Sequence, residues 1–182
     1  MKAAPFEYAR ARDMADAIRL LGDAGVDAKL IAGGQSLGPM LNLRVARPGF
    51  LVDVRRCPDL QTVEADSDGV SYGAGLTHAA FEDGRIEDAT PGWLQPIARG
   101  IAYRAVRNRG TIGGSVAHAD PAADWPSALL ALGATAKVQG PAGARSVALE
   151  DFLKAPFTVD LAPGEVLAGF SLPKRGVGAQ WG

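Results

Sequence analysis

Two pairs of adjacent glycines, each beside small hydroxyl residues, are where this sequence offers chemistry. The first stands in Ala32-Gly33-Gly34-Gln35-Ser36-Leu37, directly after Lys29-Leu30-Ile31. The second stands in Thr111-Ile112-Gly113-Gly114-Ser115, directly after Arg107-Asn108-Arg109-Gly110. Consecutive glycines let backbone N–H groups close on an anion with no Cβ in the way, and Ser36, Thr111 and Ser115 add hydroxyl donors. Both pairs are expected in loops. Together they suggest one large phosphate-bearing ligand gripped from two sides.

Neither loop carries a stricter nucleotide signature. Gly33-Gly34-Gln35-Ser36-Leu37-Gly38 lacks the G-x-G-x-x-G spacing and the Lys-Ser/Thr of a P-loop, and Asp53 is a weak match to a ribose-binding acid. A tight strand-to-helix turn is the alternative reading of the first loop. Beyond the second, Asp120 is expected to cap a helix. Asp124 is either a first-turn charge complementing the helix dipole or an acceptor for a ribityl chain, ribose or base. Arg104, Arg107 and Arg109 form a basic patch that either screens a pyrophosphate, docks a partner or lies on a solvated face. His78 and His118 have no carboxylate or cysteine at metal-ligand spacing, and no G-x-S-x-G elbow is present.

Composition narrows the classes. The chain has 182 residues, 47% hydrophobic, with a formal net charge of −1, so no basic excess supports nucleic acid as the main partner. Cys57 is the only cysteine; it excludes an internal disulfide or an iron–sulfur cluster held by this chain, and it reads as a structural thiol. No signal h-region or transmembrane run is evident, which makes a cytoplasmic location the default. The 23 glycines are spread through turns rather than gathered in a tract.

The elements that must position the glycine pairs read as two lobes. Phe6-Glu7-Tyr8 is a short strand; Met14, Ala17, Ile18, Leu20 and Leu21 have helical spacing, with Asp13 as cap and Gly22 or Gly25 as terminator. Strands at Ala28–Ala32 and Phe50–Val54, with a short helix or turn at Pro39–Asn42, complete a β-α-β-β lobe. A hairpin is expected across Asp66-Ser67-Asp68-Gly69. Helices follow from Thr77 and Trp93, then a helix through Leu130 and Leu132. Strands at 134–139, 145–149 and 166–172 close the second, mixed lobe.

With their flanks, these residues resemble a known family. Ala32–Leu37, then Pro39-Met40 and Leu43-Arg44, is similar to the first flavin motif of the FAD-binding medium subunits of molybdenum hydroxylases, which include the carbon monoxide dehydrogenase medium subunit and the flavin domain of xanthine dehydrogenase. The run from Val106 through Asp124 looks like their second motif almost throughout, and the resemblance extends to Leu172-Pro173. It implies an α+β, two-lobed FAD-binding fold of the vanillyl-alcohol oxidase type, with lobes at 1–57 and 58–175. Residues 176–182, ending Gln180-Trp181-Gly182, would begin a further C-terminal domain of roughly 100 residues, which makes the chain a fragment or a short form.

The resemblance also implies site residues and partners. Ala32, Gly33, Gly34, Gln35, Ser36 and Leu37, with Thr111, Ile112, Gly113, Gly114 and Ser115, would bind the FAD pyrophosphate and its neighbours. Asp124 matches a cofactor-contacting aspartate, Leu167 a leucine near the adenine or flavin end, and Ile101 an apolar position against the cofactor. Gln35 stands where some relatives carry His, and Ser115 where Asn or Asp is common. The implied role is electron transfer in a multisubunit molybdenum-dependent dehydrogenase of the carbon monoxide, xanthine or aldehyde class. Electrons would pass from the 2Fe-2S clusters of a small subunit to FAD, and on to NAD, a quinone or another acceptor. The large molybdenum-cofactor subunit would oxidise the substrate, so no side chain here need be catalytic. A non-catalytic assembly module and a stand-alone flavin oxidase are the alternatives.

Overall fold

The computed structural model of the chain describes residues 2–174; the further C-terminal region expected to begin at 176–182 lies outside the described residues. The first half of the chain is built on a small parallel sheet. Strand β1 (Glu7–Arg10) leads to helix α1 (Met14–Ala24), β2 (Ala28–Ile31), helix α2 (Leu37–Asn42) and β3 (Phe50–Asp53), in the sheet order β1-β3-β2. Parallel pairing needs a crossover between strands, and α1 and α2 supply the connections. Helix α1 starts where expected, since the Asp13 carboxylate accepts the Asp16 amide at 2.7 Å. Gly25 ends it at φ +67°, a left-handed value that suits glycine; Gly22 lies inside the helix.

Strand β3 is central and buried on both faces, which explains its unbroken apolar run. Val52 joins the main core, whereas Leu51 packs with Leu41, Ala46, Leu37 and Met40 beneath α2. Asp53 closes the strand.

The rest is an antiparallel sheet wrapped by short helices. Its strands are β4 (Val63–Ala65), β5 (Gly69–Gly73), β6 (Thr135–Gly140), β7 (Gly143–Ala148) and β10 (Val166–Pro173), in the order β4-β5-β10-β6-β7. A separate two-stranded pair, β8 (Leu153–Ala155) and β9 (Thr158–Val159), lies between β7 and β10 in sequence. The β4–β5 hairpin is set by Asp66, whose carboxylate accepts the amides of Asp68 and Gly69, both at 2.8 Å. The helices are α3 (His78–Glu82), α4 (Leu94–Gly100), α5 (Arg104–Arg107), α6 (Ile112–His118), α7 (Asp124–Ala131) and α8 (Leu149–Phe152). Val70, Tyr72, Ala136, Val138, Phe170 and Leu172 alternate inward and pack with Phe81, Trp125, Leu129 and Phe152. Ala11, Met14 and Ala17 belong to the same cluster, so one continuous core underlies both sheets.

Two expectations change here. The second glycine pair is not in a loop: Gly113 and Gly114 open helix α6, preceded by helix α5 and a turn. Asp120 does not cap α7. Its carboxylate accepts the Ala122 amide at 2.9 Å, and Ala123 holds the cap position without a side-chain bond.

Candidate cofactor site

The first glycine motif leaves the C-terminal end of β2 and turns sharply at Gly34, where φ is +70°. The Gln35 side chain folds back so that Nε2 donates to the Gly33 carbonyl at 2.9 Å, which makes Gln35 a shaping residue for the turn. Ser36 is exposed and its hydroxyl makes no hydrogen bond to another described residue. The backbone amides of Gly33, Gly34, Gln35, Ser36 and Leu37 likewise donate to no acceptor among the described residues. Gly33 is nevertheless buried. Buried amides are almost always paired, so a run of open ones is the feature an anion would satisfy. Ala32 and Leu37 are half-buried, on the main core and the α2 cluster respectively.

The second motif is different in kind. The Ile112 amide donates to Leu76 O at 3.0 Å, Gly113 to Ala74 O at 2.9 Å, and Ser115 to Thr111 O at 3.0 Å. Thr111 is the N-cap of α6, and its Oγ1 accepts the Gly114 amide at 3.0 Å. Every amide from Ile112 to Ser115 is therefore occupied, and the expected nest of free donors is not present there. Gly113 is glycine for packing: a Cβ would run into Ala74. Ile112 is fully buried. Exposed Gly114, the half-buried Ser115 with its free hydroxyl, and the remaining Thr111 proton are what this segment presents.

The two motifs meet. A Cβ on Gly33 would lie inside the Arg109 carbonyl oxygen and 2.7 Å from Gly110 Cα, so the first loop presses directly on the residues that precede α6. That segment is held in turn by an isolated antiparallel bridge between Thr77 and Thr111, with the His78 amide donating to Gly110 O at 3.0 Å. His78 and Gly110 were not singled out for the site from sequence, because the bridge that places them joins distant segments.

The remaining candidates stand on other elements. Asp124, the exposed first residue of α7, lines a shallow depression of about 440 Å³ between α4 and α7, with Ile97, Gly100, Pro121 and Ser127 among its walls. Ile101 follows Gly100 directly and is half-buried. Leu167 is 5% exposed, a core residue of β10 opposite Val138, at the bulge beside Ala168, whose carbonyl accepts the Ala74 amide.

Charges sort themselves differently from the basic patch of the sequence. Arg107 donates to both carboxylate oxygens of Glu82 and to the carbonyls of Ile101 and Ala102, and Arg104 pairs with Glu82 and Asp83. Those guanidinium groups hold the carboxyls of Glu82 and Asp83 below the usual range and are structural. Arg109 is exposed and makes no ion pair with a described residue. Asp53 is no ribose ligand: it is 1% exposed and held by Tyr8 Oη, Arg55 and Arg10. Cys57 is buried, and its thiol is pushed up to about 11 by burial and nearby carboxylates. Among the described residues no cluster of three His, Cys, Asp or Glu side chains could hold a metal ion, and no helix is long and apolar enough to cross a membrane.

Residues 4–175 of the chain match a family model, that of the FAD binding domain in molybdopterin dehydrogenase. The chain belongs to this family. Members of the FAD binding domain family that it resembles include the 6-hydroxypseudooxynicotine dehydrogenase complex subunit alpha of Paenarthrobacter nicotinovorans, 41% identical over 96% of this chain and 59% of that subunit. The carbon monoxide dehydrogenase medium chain of Hydrogenophaga pseudoflava is 37% identical over 97% of this chain and 61% of its own length. A solved structure of carbon monoxide dehydrogenase from the same organism, lacking the Mo-pyranopterin moiety of its cofactor, superposes with a TM-score of 0.94. It covers 98% of this chain and 62% of that one. The α+β flavin-domain fold is thus shared, and this chain spans about three-fifths of the length of these relatives.

Proposed function

We propose that this chain is the flavin-binding part of an electron-transfer subunit in a cytoplasmic, multisubunit molybdenum-dependent dehydrogenase. The observation that carries the reading is the run of open amides from Gly33 to Leu37, seated on the Arg109–Gly110 backbone. Those amides and the Ser36 hydroxyl would hold the pyrophosphate of FAD from one side, and Gly114, Ser115 and Thr111 would close on it from the other. Arg109 supplies a cation beside the same contact. Asp124 would accept hydrogen bonds from hydroxyl groups of the cofactor, with Ile101 and Leu167 as apolar neighbours. When bound, FAD supplies the redox chemistry, and the protein contributes orientation and electrostatics.

Nothing in the site calls for a side-chain acid or base, because the residues bind and orient. The chain's own chemistry and its relatives support this choice of partners. A single buried thiol cannot carry an iron–sulfur cluster, so the 2Fe-2S centres belong to a small subunit and substrate oxidation to a molybdenum-cofactor large subunit. The relatives are named as a complex subunit and a medium chain, which supports assembly of that kind. NAD or a quinone would take the electrons onward.

The test is an FAD titration of the purified chain, followed by flavin fluorescence and the visible spectrum. Binding is expected, and Ser36→Ala and Ser115→Ala are each expected to weaken it about tenfold, the scale of one hydrogen bond to a charged group. Their melting temperatures should match the parent's. A chain that takes up no flavin would overturn the cofactor reading; normal affinity in both serine variants would overturn the cradle assignment.

A further inference from the structure

The His78 side chain lies between Trp125 and Gly110, next to the proposed cradle, and its imidazole has no role in the reading so far. Its side chain is 95% enclosed, since only 5% of the residue is exposed. Nδ1 accepts the indole N–H of Trp125 at 2.9 Å, and Trp125, fully buried, directly follows Asp124. That bond puts the proton of the neutral ring on Nε2. The Nε2 edge occupies the space where a Cβ on Gly110 would stand, 2.6 Å from that position. Gly110 Cα in turn fills the space a Cβ on Gly33 would need. Trp125, His78, Gly110 and Gly33 therefore form one line of direct contacts from α7 to the open amides.

We infer that His78 is a positioning residue for the cofactor: its imidazole is the spacer that sets Asp124 and the Arg109–Ser115 segment at the right distance from the Gly33–Leu37 cradle. The proposal rests on the flavin reading above. Two properties of the ring serve it. A flat five-membered ring fits between an indole N–H and a glycine Cα, where a tetrahedral side chain would push them apart. Burial, and secondarily the Arg107 charge, bring the imidazole pKa down to about 4, so Nδ1 remains an acceptor at neutral pH. Phenylalanine would fill the space but leave the Trp125 N–H buried and unpaired; asparagine can present an oxygen where Nδ1 lies.

The experiment compares the full 182-residue chain with His78→Phe, His78→Asn, Trp125→Phe and the His78→Phe/Trp125→Phe double variant. FAD Kd is measured at a temperature where circular dichroism shows each chain folded, and the melting temperature is taken separately without FAD. His78→Phe should raise Kd at least about tenfold, with His78→Asn recovering to within about threefold of the parent. Because one bond carries the coupling, the double variant should bind no worse than the weaker single. If His78 only fills the core, melting temperatures fall while Kd stays at the parent value, and the inference fails. Should His78→Phe not fold, an unchanged Kd in Trp125→Phe overturns the proposal in its place. A parent chain that binds no FAD removes the flavin reading and this proposal with it, whereas a binding parent with unaltered variants removes this proposal alone.

Discussion

At the scale of single residues, the glycines of this chain do unlike things. Gly33 lets two backbones touch, Gly34 makes a left-handed turn, and Gly113 lets a helix lie on Ala74. The same substitution should therefore have opposite effects at different positions. Gly33→Ala drives a methyl group into the Arg109 carbonyl and is expected to cost about 2 kcal/mol, the usual range for overpacking, and to weaken FAD binding. Gly22→Ala, inside α1 with nothing within 4 Å of its Cβ position, should stabilise by about 0.5–1 kcal/mol. Urea midpoints of the two variants check both signs. Gly114→Val is a poor probe of the cradle. Its Cβ would fall 2.8 Å from Thr111 Oγ1 and loosen the cap of α6 as well.

At the scale of elements, the end of β3 is where stability meets pH. Burial alone would raise the Asp53 carboxyl, but hydrogen bonds from Arg55 and Tyr8 outweigh it and hold the group at about 2. A folded value below the unfolded one means that the stabilisation is present above the ordinary aspartate range and is lost as pH falls through about 2. Asp53→Asn should thus cost about 2 kcal/mol at pH 7, and the gap from the parent should shrink between pH 4 and pH 2 in a series of urea melts. A gap that stays constant with pH would show that the charge contributes nothing. Elements of this kind were legible where local chemistry sets them: Asp13, Thr77 and the Asp66 turn all act as their residue types suggest. The second glycine pair misled because glycine is among the poorest helix formers, and only packing on Ala74, distant in sequence, makes a helix of it. Helices α5 and α8 escaped for a related reason, being single turns whose support is tertiary: Arg107 on Glu82, and Phe152 in the core. The glycine motifs themselves were visible, but which of them keeps its amides open was not, since that depends on Leu76 and Ala74 as acceptors.

At the scale of the molecule, the two sheets share one apolar core that runs from Met14 and Val52 to Trp125 and Phe170. A shared core predicts a single cooperative unfolding transition, with equal calorimetric and van't Hoff enthalpies. FAD at one hundred times its Kd should add about 2.7 kcal/mol, which moves the midpoint by about 5–10 °C in a chain of this length. Two separated endotherms would show that the sheets melt independently. The strand order β4-β5-β10-β6-β7 carries a further consequence, for synthesis. The strand made last is the one in the middle, so a nascent chain holds two hairpins with bare edges at β5 and β6 until residues 166–173 leave the ribosome. Ala168 then takes the amide of Ala74, the residue on which Gly113 rests. Flavin capture must therefore wait until β10 is in place, and the interval before that is when these hairpins most need a chaperone.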